Sequence, residues 1–252
     1  MRRALVLFAR LALAGSEFRT FLAECVRLYD SRPVGECPAC GFTGRFRPEP
    51  RFGRSESCPQ CGSLERHRLL ALAVKDGFVG FARQEVLHFA PDPMIGRIIE
   101  SQEPACHTTA DSTPGRADSV LDIEHIAAPD LSWDRIVCSH VLEHVDDRLA
   151  LAELVRVLRP GGQVVIMVPL VEGWSRTYED AAIVGEGARA AHFLQGDHLR
   201  LYGADLRDRI AAAGFTLAEF TAGGPETVRY RLSHGEKVFL ATKPEGAIPG
   251  AR

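Results

Sequence analysis

The sequence predicts an α/β protein whose body is a largely parallel sheet of seven strands with crossover helices, preceded by a small helical, cysteine-paired region. Three observations carry this. After Gly80, short apolar runs alternate with helix-period stretches, the order that builds a parallel sheet. Before it, Ser31 to Ser63 is rich in Pro, Gly, Arg and Cys and poor in periodic apolar residues, so something other than a hydrophobic core must hold it together. Finally, the 252 residues are 46% apolar, enough to bury one large domain or one domain plus an appendage, which excludes a disordered or fibrous chain.

The elements follow in order. Met1 to Gly15 imitates a secretory leader, with two arginines, an apolar stretch and Ala12-Leu13-Ala14, but Arg10 interrupts the stretch and an amphipathic helix is the favoured reading. Phe18, Phe21, Leu22, Cys25 and Tyr29 recur at helical spacing behind a Ser16 cap. A short helix is expected over Ser63 to Lys75, with Leu69, Leu72 and Ala73 on one face and Asp76-Gly77 as its end. Strands are expected at Glu85–Ala90, Cys106–Ala110, Ser119–Ile123, Asp134–Ser139, Gln163–Val168, Phe215–Thr221 and Lys237–Lys243. Helices are expected at Asp146–Leu158, stopped by Arg159-Pro160-Gly161-Gly162, and at Ala204–Ala213, stopped by Gly214. The stretch from Val171 to Leu201 has no simple period, which in a compact domain marks a lid or binding insertion. The organisation is therefore residues 1–80, a helix and ribbon, then residues 81–252, the sheet domain with an insertion at 171–201.

Charge divides the chain in the same place. Residues 1–75 carry 13 Lys/Arg and 7 Asp/Glu, and residues 76–252 carry 17 and 26, so a front end of +6 joins a body of −9. This confines any polyanion contact to the front end. Cys25, Cys106 and Cys138, set in apolar surroundings, read as buried thiols. No run reaches the ~18–20 apolar residues of a membrane span, and reduced thiols without a convincing leader favour the cytoplasm.

Cys37-Pro38-Ala39-Cys40-Gly41 and Cys58-Pro59-Gln60-Cys61-Gly62 form two Cys-x-x-Cys pairs with 17 residues between them. Each pair can place both sulfurs on one ion if the chain turns tightly, with Pro fixing φ on the way in and Gly admitting a left-handed conformation on the way out. Cys37, Cys40, Cys58 and Cys61 would complete a closed thiolate tetrahedron with no open position, a structural zinc site; iron suits the same ligands. A redox dithiol would need only one pair. Arg45, Arg47, Arg51, Arg54, Arg66 and Arg68, with Phe42, Phe46 and Phe52 interleaved, could track phosphates and stack bases. The favoured alternative is that the arginines form a solvated surface or dock on the acidic body while the phenylalanines make the ribbon's small core.

The segment Asp134-Arg135-Ile136-Val137-Cys138-Ser139-His140-Val141-Leu142-Glu143-His144-Val145, a helix, and then Leu158-Arg159-Pro160-Gly161-Gly162 resemble class I S-adenosylmethionine-dependent methyltransferases, in which an "HVLEH" run ends the fourth strand and "LRPGG" leads into the fifth. The resemblance covers about residues 83–243. The usual Gly-x-Gly-x-Gly loop is replaced by Leu87-His88-Phe89-Ala90-Pro91-Asp92-Pro93, similar to a subgroup with an "LHFAPE" first loop, a cysteine-paired zinc ribbon and a "CGSLERHRLL" segment. Here that segment reads Cys61-Gly62-Ser63-Leu64-Glu65-Arg66-His67-Arg68-Leu69-Leu70. The resemblance implies a seven-stranded Rossmann-like sheet and S-adenosyl-L-methionine as cofactor. His88, Phe89 and Ala90 would lie near its methionine part, Asp111 near the ribose hydroxyls, Asp122 and Ile123 near the adenine, and Ser139 and His140 along the crevice.

His140-x-x-Glu143-His144 also spells an inverted zinc-protease pattern. That pattern requires one long helix, whereas here it follows directly on a strand-like run, and no third ligand is placed downstream. For methyl transfer, candidate proton acceptors are His144 at the rim and Tyr178, His192, Asp197 and His198 in the insertion, with His198 ranked first and His144 second as catalytic residues. Asp197-His198-Leu199-Arg200-Leu201-Tyr202-Gly203 resembles the subgroup's "DHVRLYG" and precedes a helix, so His198 could also be structural. The expected partner is a small-molecule or sugar-like acceptor; the alternative is an RNA methyltransferase or non-catalytic nucleic-acid binder that uses the ribbon.

Overall fold

The structure is a computed structural model, and residues 33–49 and 55–246 are described. The segments read above as the leader-like stretch and the Phe18–Tyr29 helix, together with Cys25, Arg51, Phe52 and Arg54, lie outside those residues. No helix among the described residues is long and apolar enough to cross a membrane.

The ribbon consists of two small antiparallel pairs, β1 (Gly35–Glu36) with β2 (Thr43–Gly44) and β3 (Arg47–Glu49) with β4 (Ser55–Ser57), followed by α1 (Glu65–Lys75). The body continues as β5 (Glu85–Phe89), α2 (Pro93–Glu100), β6 (Cys106–Asp111), β7 (Ser119–Val120), β8 (Trp133–Ser139), α3 (Asp147–Val157) and β9 (Leu158–Met167). An insertion, β10 (Tyr178–Glu179), α4 (Glu186–Phe193) and β11 (Arg200–Leu201), precedes α5 (Leu206–Ala212), β12 (Thr216–Phe220), α6 (Gly224–Arg229) and β13 (Val238–Thr242). Seven strands form one sheet in the order β12-β13-β9-β8-β5-β6-β7, in which β13 is antiparallel to both its neighbours and the other ladders are parallel.

Strand alternation divides the core between the two faces. Leu87, Phe89, Ile136, Cys138, Val164, Ile166 and Phe239 pack with α3 and α5 on one side. Val86, Val137, Val165, Met167, Val238 and Leu240 pack with α1 and α2 on the other. The helix that leaves the ribbon is thus itself a layer of the sheet domain.

Most of the expected elements form, with instructive differences. Helix α2 is a crossover whose bounds the sequence pattern left open: Asp92 Oδ1 accepts from Met94 N at 2.7 Å, Pro93 sits at the first turn, and Met94, Ile95, Ile98 and Ile99 are buried. An Asp cap followed by Pro is a start signal, hidden here by a second Pro at position 91. The 158–162 segment is not only a stop, because pairing of β9 already begins at Leu158. Cys138 is buried as expected, but Cys106 is exposed, since β6 starts at a solvent-facing end of the sheet.

One side chain fastens the ribbon to the body. Arg68, fully buried on α1, donates Nη1 to Glu56 O at 3.0 Å and to Ser63 O at 2.6 Å within the ribbon. It donates Nε to Tyr230 O at 2.9 Å and Nη2 to Arg231 O in the body. Its guanidinium also lies 4.5 Å from the Phe46 ring centroid. Substituting Arg68→Met, which keeps bulk but takes the guanidinium donor from four carbonyls, of which Ser63 O keeps the Cys58 N–H at 2.9 Å, is expected to cost about 3 kcal/mol of unfolding free energy in urea titrations. A loss below about 1 kcal/mol would show that the carbonyls find other donors.

Candidate functional site

Parallel strands on either side of β5 leave in opposite directions: the chain goes out through α2 to β6 and β7, then returns to β8 on the other flank. At such a reversal no connection covers the carboxyl ends of the two central strands. A crevice of about 510 Å³ opens there, lined by Phe89, Ala90, Asp111, Asp122, Ile123, His140 and His144, with Arg189 and Asp197 from the insertion. A larger concavity of about 790 Å³ lies against α3 and α5, but none of the strand-end residues lines it.

Local backbone shapes the opening. Ala90, at φ 45°, and His140, at φ 56°, both take the left-handed conformation that usually calls for Gly, at a cost of about 1 kcal/mol each. The Ala90 N–H is fixed to Ala110 O at 2.8 Å and that of His140 to Met167 O at 2.7 Å, so each strand turns sharply where it ends. Asp111 and Asp122 are also placed by turns, each accepting with Oδ1 the N–H two residues on, from Thr113 at 2.7 Å and Glu124 at 2.9 Å. Their Oδ2 atoms are not committed to these turns.

Seven of the ten candidate cofactor and catalytic residues line the crevice, and three do not. Ser139, the last residue of β8, has a buried Oγ with no hydrogen-bond partner among the described residues. His198 is buried close to the rim, its ring centroid 4.7 Å from that of His144. His88 points to the opposite face, fully buried and stacked on His107 at 5.6 Å, with neither ring nitrogen partnered among the described residues. Strand alternation explains this, because neighbours Leu87 and Phe89 face the α3 side and His88 must face the other. Tyr178 and His192 bond each other, Oη to Nδ1 at 2.6 Å, and neither lines the crevice.

The turn after β8 is held from the insertion side. Leu199 N donates to Glu143 O at 2.8 Å, while Arg200 Nη1, at 2.9 Å, and Tyr202 Oη, at 3.1 Å, both donate to Leu142 O. Arg200 and Arg209 share Glu179, and Arg209 and Tyr202 share Asp147, so one ionic network ties β10, β11, α5 and the start of α3 together. The "DHLRLYG" run is therefore a clamp on "HVLEH", a pairing the sequence displays but does not connect.

A family model described as a methyltransferase domain matches residues 17–219. The chain belongs to this methyltransferase family. Among solved structures it is similar to a chain of the complex between the Haloferax volcanii Trm112 methyltransferase activator and its methyltransferase, at 15% identity and a TM-score of 0.51, covering 71% of this chain and 91% of that one. It is also similar to the YcgJ protein of Bacillus subtilis, at 15% identity and a TM-score of 0.50, covering 71% of this chain and 100% of the other. No curated protein matches the sequence.

The residues present fit S-adenosylmethionine, the cofactor of this methyltransferase fold. Buried polar atoms without partners among the described residues, Ser139 Oγ and His140 Nε2, mark the end of β8 beside Ala90, and two acids stand at the ends of the next strands. The four cysteines also form a cluster. Cys37 Sγ lies 3.7 Å from Cys61 Sγ and Cys40 Sγ lies 3.7 Å from Cys58 Sγ, close to the ~3.8 Å edge of a tetrahedron with 2.3 Å metal–sulfur bonds. Gly41, at φ 75°, and Gly62, at φ 78°, return their N–H groups to Cys37 O and Cys58 O, both at 2.8 Å, so the two knuckles are built alike.

Burial, followed by repulsion from His107, lowers the His88 pKa to about 4 from 6.5. Between those values the unfolded chain binds the extra proton, so this contribution to stability is complete above pH ~6.5 and is lost as pH falls toward 4. Wild type is expected to lose about 2 kcal/mol more than His88→Leu between pH 7 and pH 5 in denaturant titrations. Parallel pH profiles for the two would refute the assignment.

Proposed function

We propose that this methyltransferase moves the methyl group of S-adenosylmethionine to a small-molecule or sugar-like acceptor, and that the four cysteines hold a structural zinc ion. The observation that carries the reading is the crevice itself: a bounded hollow at the strand reversal, with acids on one flank and the insertion on the other. Asp111 would take the ribose hydroxyls, since two O–H donors can share one carboxylate. Asp122 and Ile123 would meet the adenine, and Phe89, Ala90, Ser139 and His140 the methionine part. When bound, the cofactor supplies a sulfonium methyl that passes in line to a nucleophile, so orientation and exclusion of water supply most of the rate.

The acceptor would then enter beside His144, Asp197 and Arg189, and a hydroxyl nucleophile on it would lose its proton through the His144–His198 pair. His198 Nδ1 lies 3.0 Å from Phe193 O, and a carbonyl only accepts, so Nδ1 carries the proton and Nε2 keeps its lone pair. Burial, only partly offset by Glu143, holds this ring below the ordinary imidazole range, which favours the neutral form. The ribbon supports an RNA substrate less well. Arg68 is buried in backbone contacts and Arg66 Nη2 lies 3.5 Å from Asp92 Oδ2, so two of the six arginines face the acidic body.

Calorimetry with S-adenosylhomocysteine is expected to give a binding isotherm that Asp111→Asn weakens about tenfold or more. Absence of heat in the wild type, with RNA retained along a steep salt slope, would replace this reading by nucleic-acid binding. Elemental analysis is expected to find zinc in the purified protein, and Cys58→Ser to lose it together with several kcal/mol of stability. Zinc content unchanged by that substitution would exclude the four-thiolate site.

A further inference from the structure

A second constellation of metal-ligating groups lies at the crevice rim. Glu143, His144 and His198 each offer a ligand atom, and these atoms lie within 4.8 Å of one another. Glu143 is the unusual member. Its side chain is fully buried, Oε1 sits 3.2 Å from His140 Nδ1, and Oε2 has no hydrogen-bond partner among the described residues. A buried carboxylate oxygen without a donor costs several kcal/mol, and a cation beside it removes that cost. The imidazoles are arranged as ligands. The Phe193 carbonyl fixes the His198 tautomer with Nε2 bare, and Asp197 Oδ2 stands 3.4 Å from His144 Nδ1, the outer-shell partners that ligating histidines ordinarily have. His140 stands in the same relation to the Glu143 carboxylate.

We infer that Glu143, His144 and His198 bind a divalent first-row transition metal ion, with its remaining positions open toward the crevice. Two imidazoles and one carboxylate suit zinc, iron, cobalt or nickel rather than magnesium or calcium, which prefer all-oxygen shells. Tetrahedral ligation needs donors about 3.3 Å apart, so the side chains close by at most about 1.5 Å on metal uptake. The two histidines of the protease-like pattern are not the pair used: His140 braces Glu143, and the second imidazole comes from the insertion 54 residues beyond His144. Three protein ligands with open positions are the arrangement of a working ion, in contrast to the closed cysteine site. Its site stands on this geometry alone. Its use, to hold an acceptor oxygen and ease loss of its proton, rests on the methyl transfer proposed above, and in the metal-bound protein His144 and His198 act as ligands, the proton-accepting role given to them above belonging to the metal-free site.

The test adds Co²⁺ to protein whose ribbon is already loaded with zinc. One further ion per chain is expected, with the visible absorption of nitrogen- and oxygen-ligated cobalt and no sulfur charge-transfer band. Glu143→Gln and, separately, His144→Ala at the partly exposed rim are expected to weaken uptake by about tenfold or more, at unchanged circular dichroism and ribbon zinc. No uptake at millimolar Co²⁺, or uptake that survives both substitutions, overturns the site. S-adenosylhomocysteine binding is measured on the same samples: its failure beside intact cobalt binding removes the methyl-transfer reading and leaves the ion site standing.

Discussion

The molecule is organised by a rule of parallel sheets: a strand must be reached by a crossover, and where crossovers turn away from each other the strand ends stay uncovered. Here that place is the junction of β5 with β8. Most of the candidate cofactor residues converge on it. The turns at Ala90 and His140, the acids closing β6 and following β7, and the insertion's Arg189 and Asp197 all border one hollow. The left-handed backbone at two non-glycine residues is the local strain that the surrounding ladders sustain.

The ribbon is joined to this arrangement by chemistry rather than by a broad apolar interface. Arg68 satisfies carbonyls on both sides, and Arg231 pairs with Glu56 while Arg229 pairs with Glu36. Next to Arg68, His67 Nε2 approaches Asp92 Oδ2 at 3.0 Å, and Asp92 caps α2 directly after the first crevice loop. Although burial works against it, His67 with the Met94 N–H and Arg66 holds this carboxyl well below the usual range. Helix α1 therefore touches both the ribbon and the residue that caps α2 after the loop at Ala90. Part of the front end's positive charge is thereby paired with internal acids and carbonyls.

Fold class, the four-cysteine pattern and the approximate places of the sheet strands were legible in the sequence because each rests on short-range rules, although the strand expected over Ser119–Ile123 stops at Val120. Apolar period separates strands from helices, Cys-x-x-Cys-Gly encodes a knuckle turn, and an acid at a strand end precedes a turn. What escaped was hidden by a competing local signal or required the third dimension. The Asp92-Pro93 start signal of helix α2 was masked by Pro91 just before it. His88 carries a ring that a motif places near a cofactor and that the two-residue period of β5 sends into the opposite layer. Cys106 reads as apolar by its neighbours yet begins its strand in solvent.

By itself, then, the sequence determined the split between a basic cysteine-held front and an acidic sheet domain and the approximate places of the seven sheet strands, since these depend on neighbours a few positions apart. Tertiary structure decided which residues share a space. The meeting of Glu143 and His144 with His198, the clamp of Arg200 and Tyr202 on the β8 turn, and the seating of Arg68 between ribbon and body join positions 54 to 163 residues apart. No local rule encodes such meetings, because they arise only when the sheet fixes its strand order and the insertion folds back over the opening.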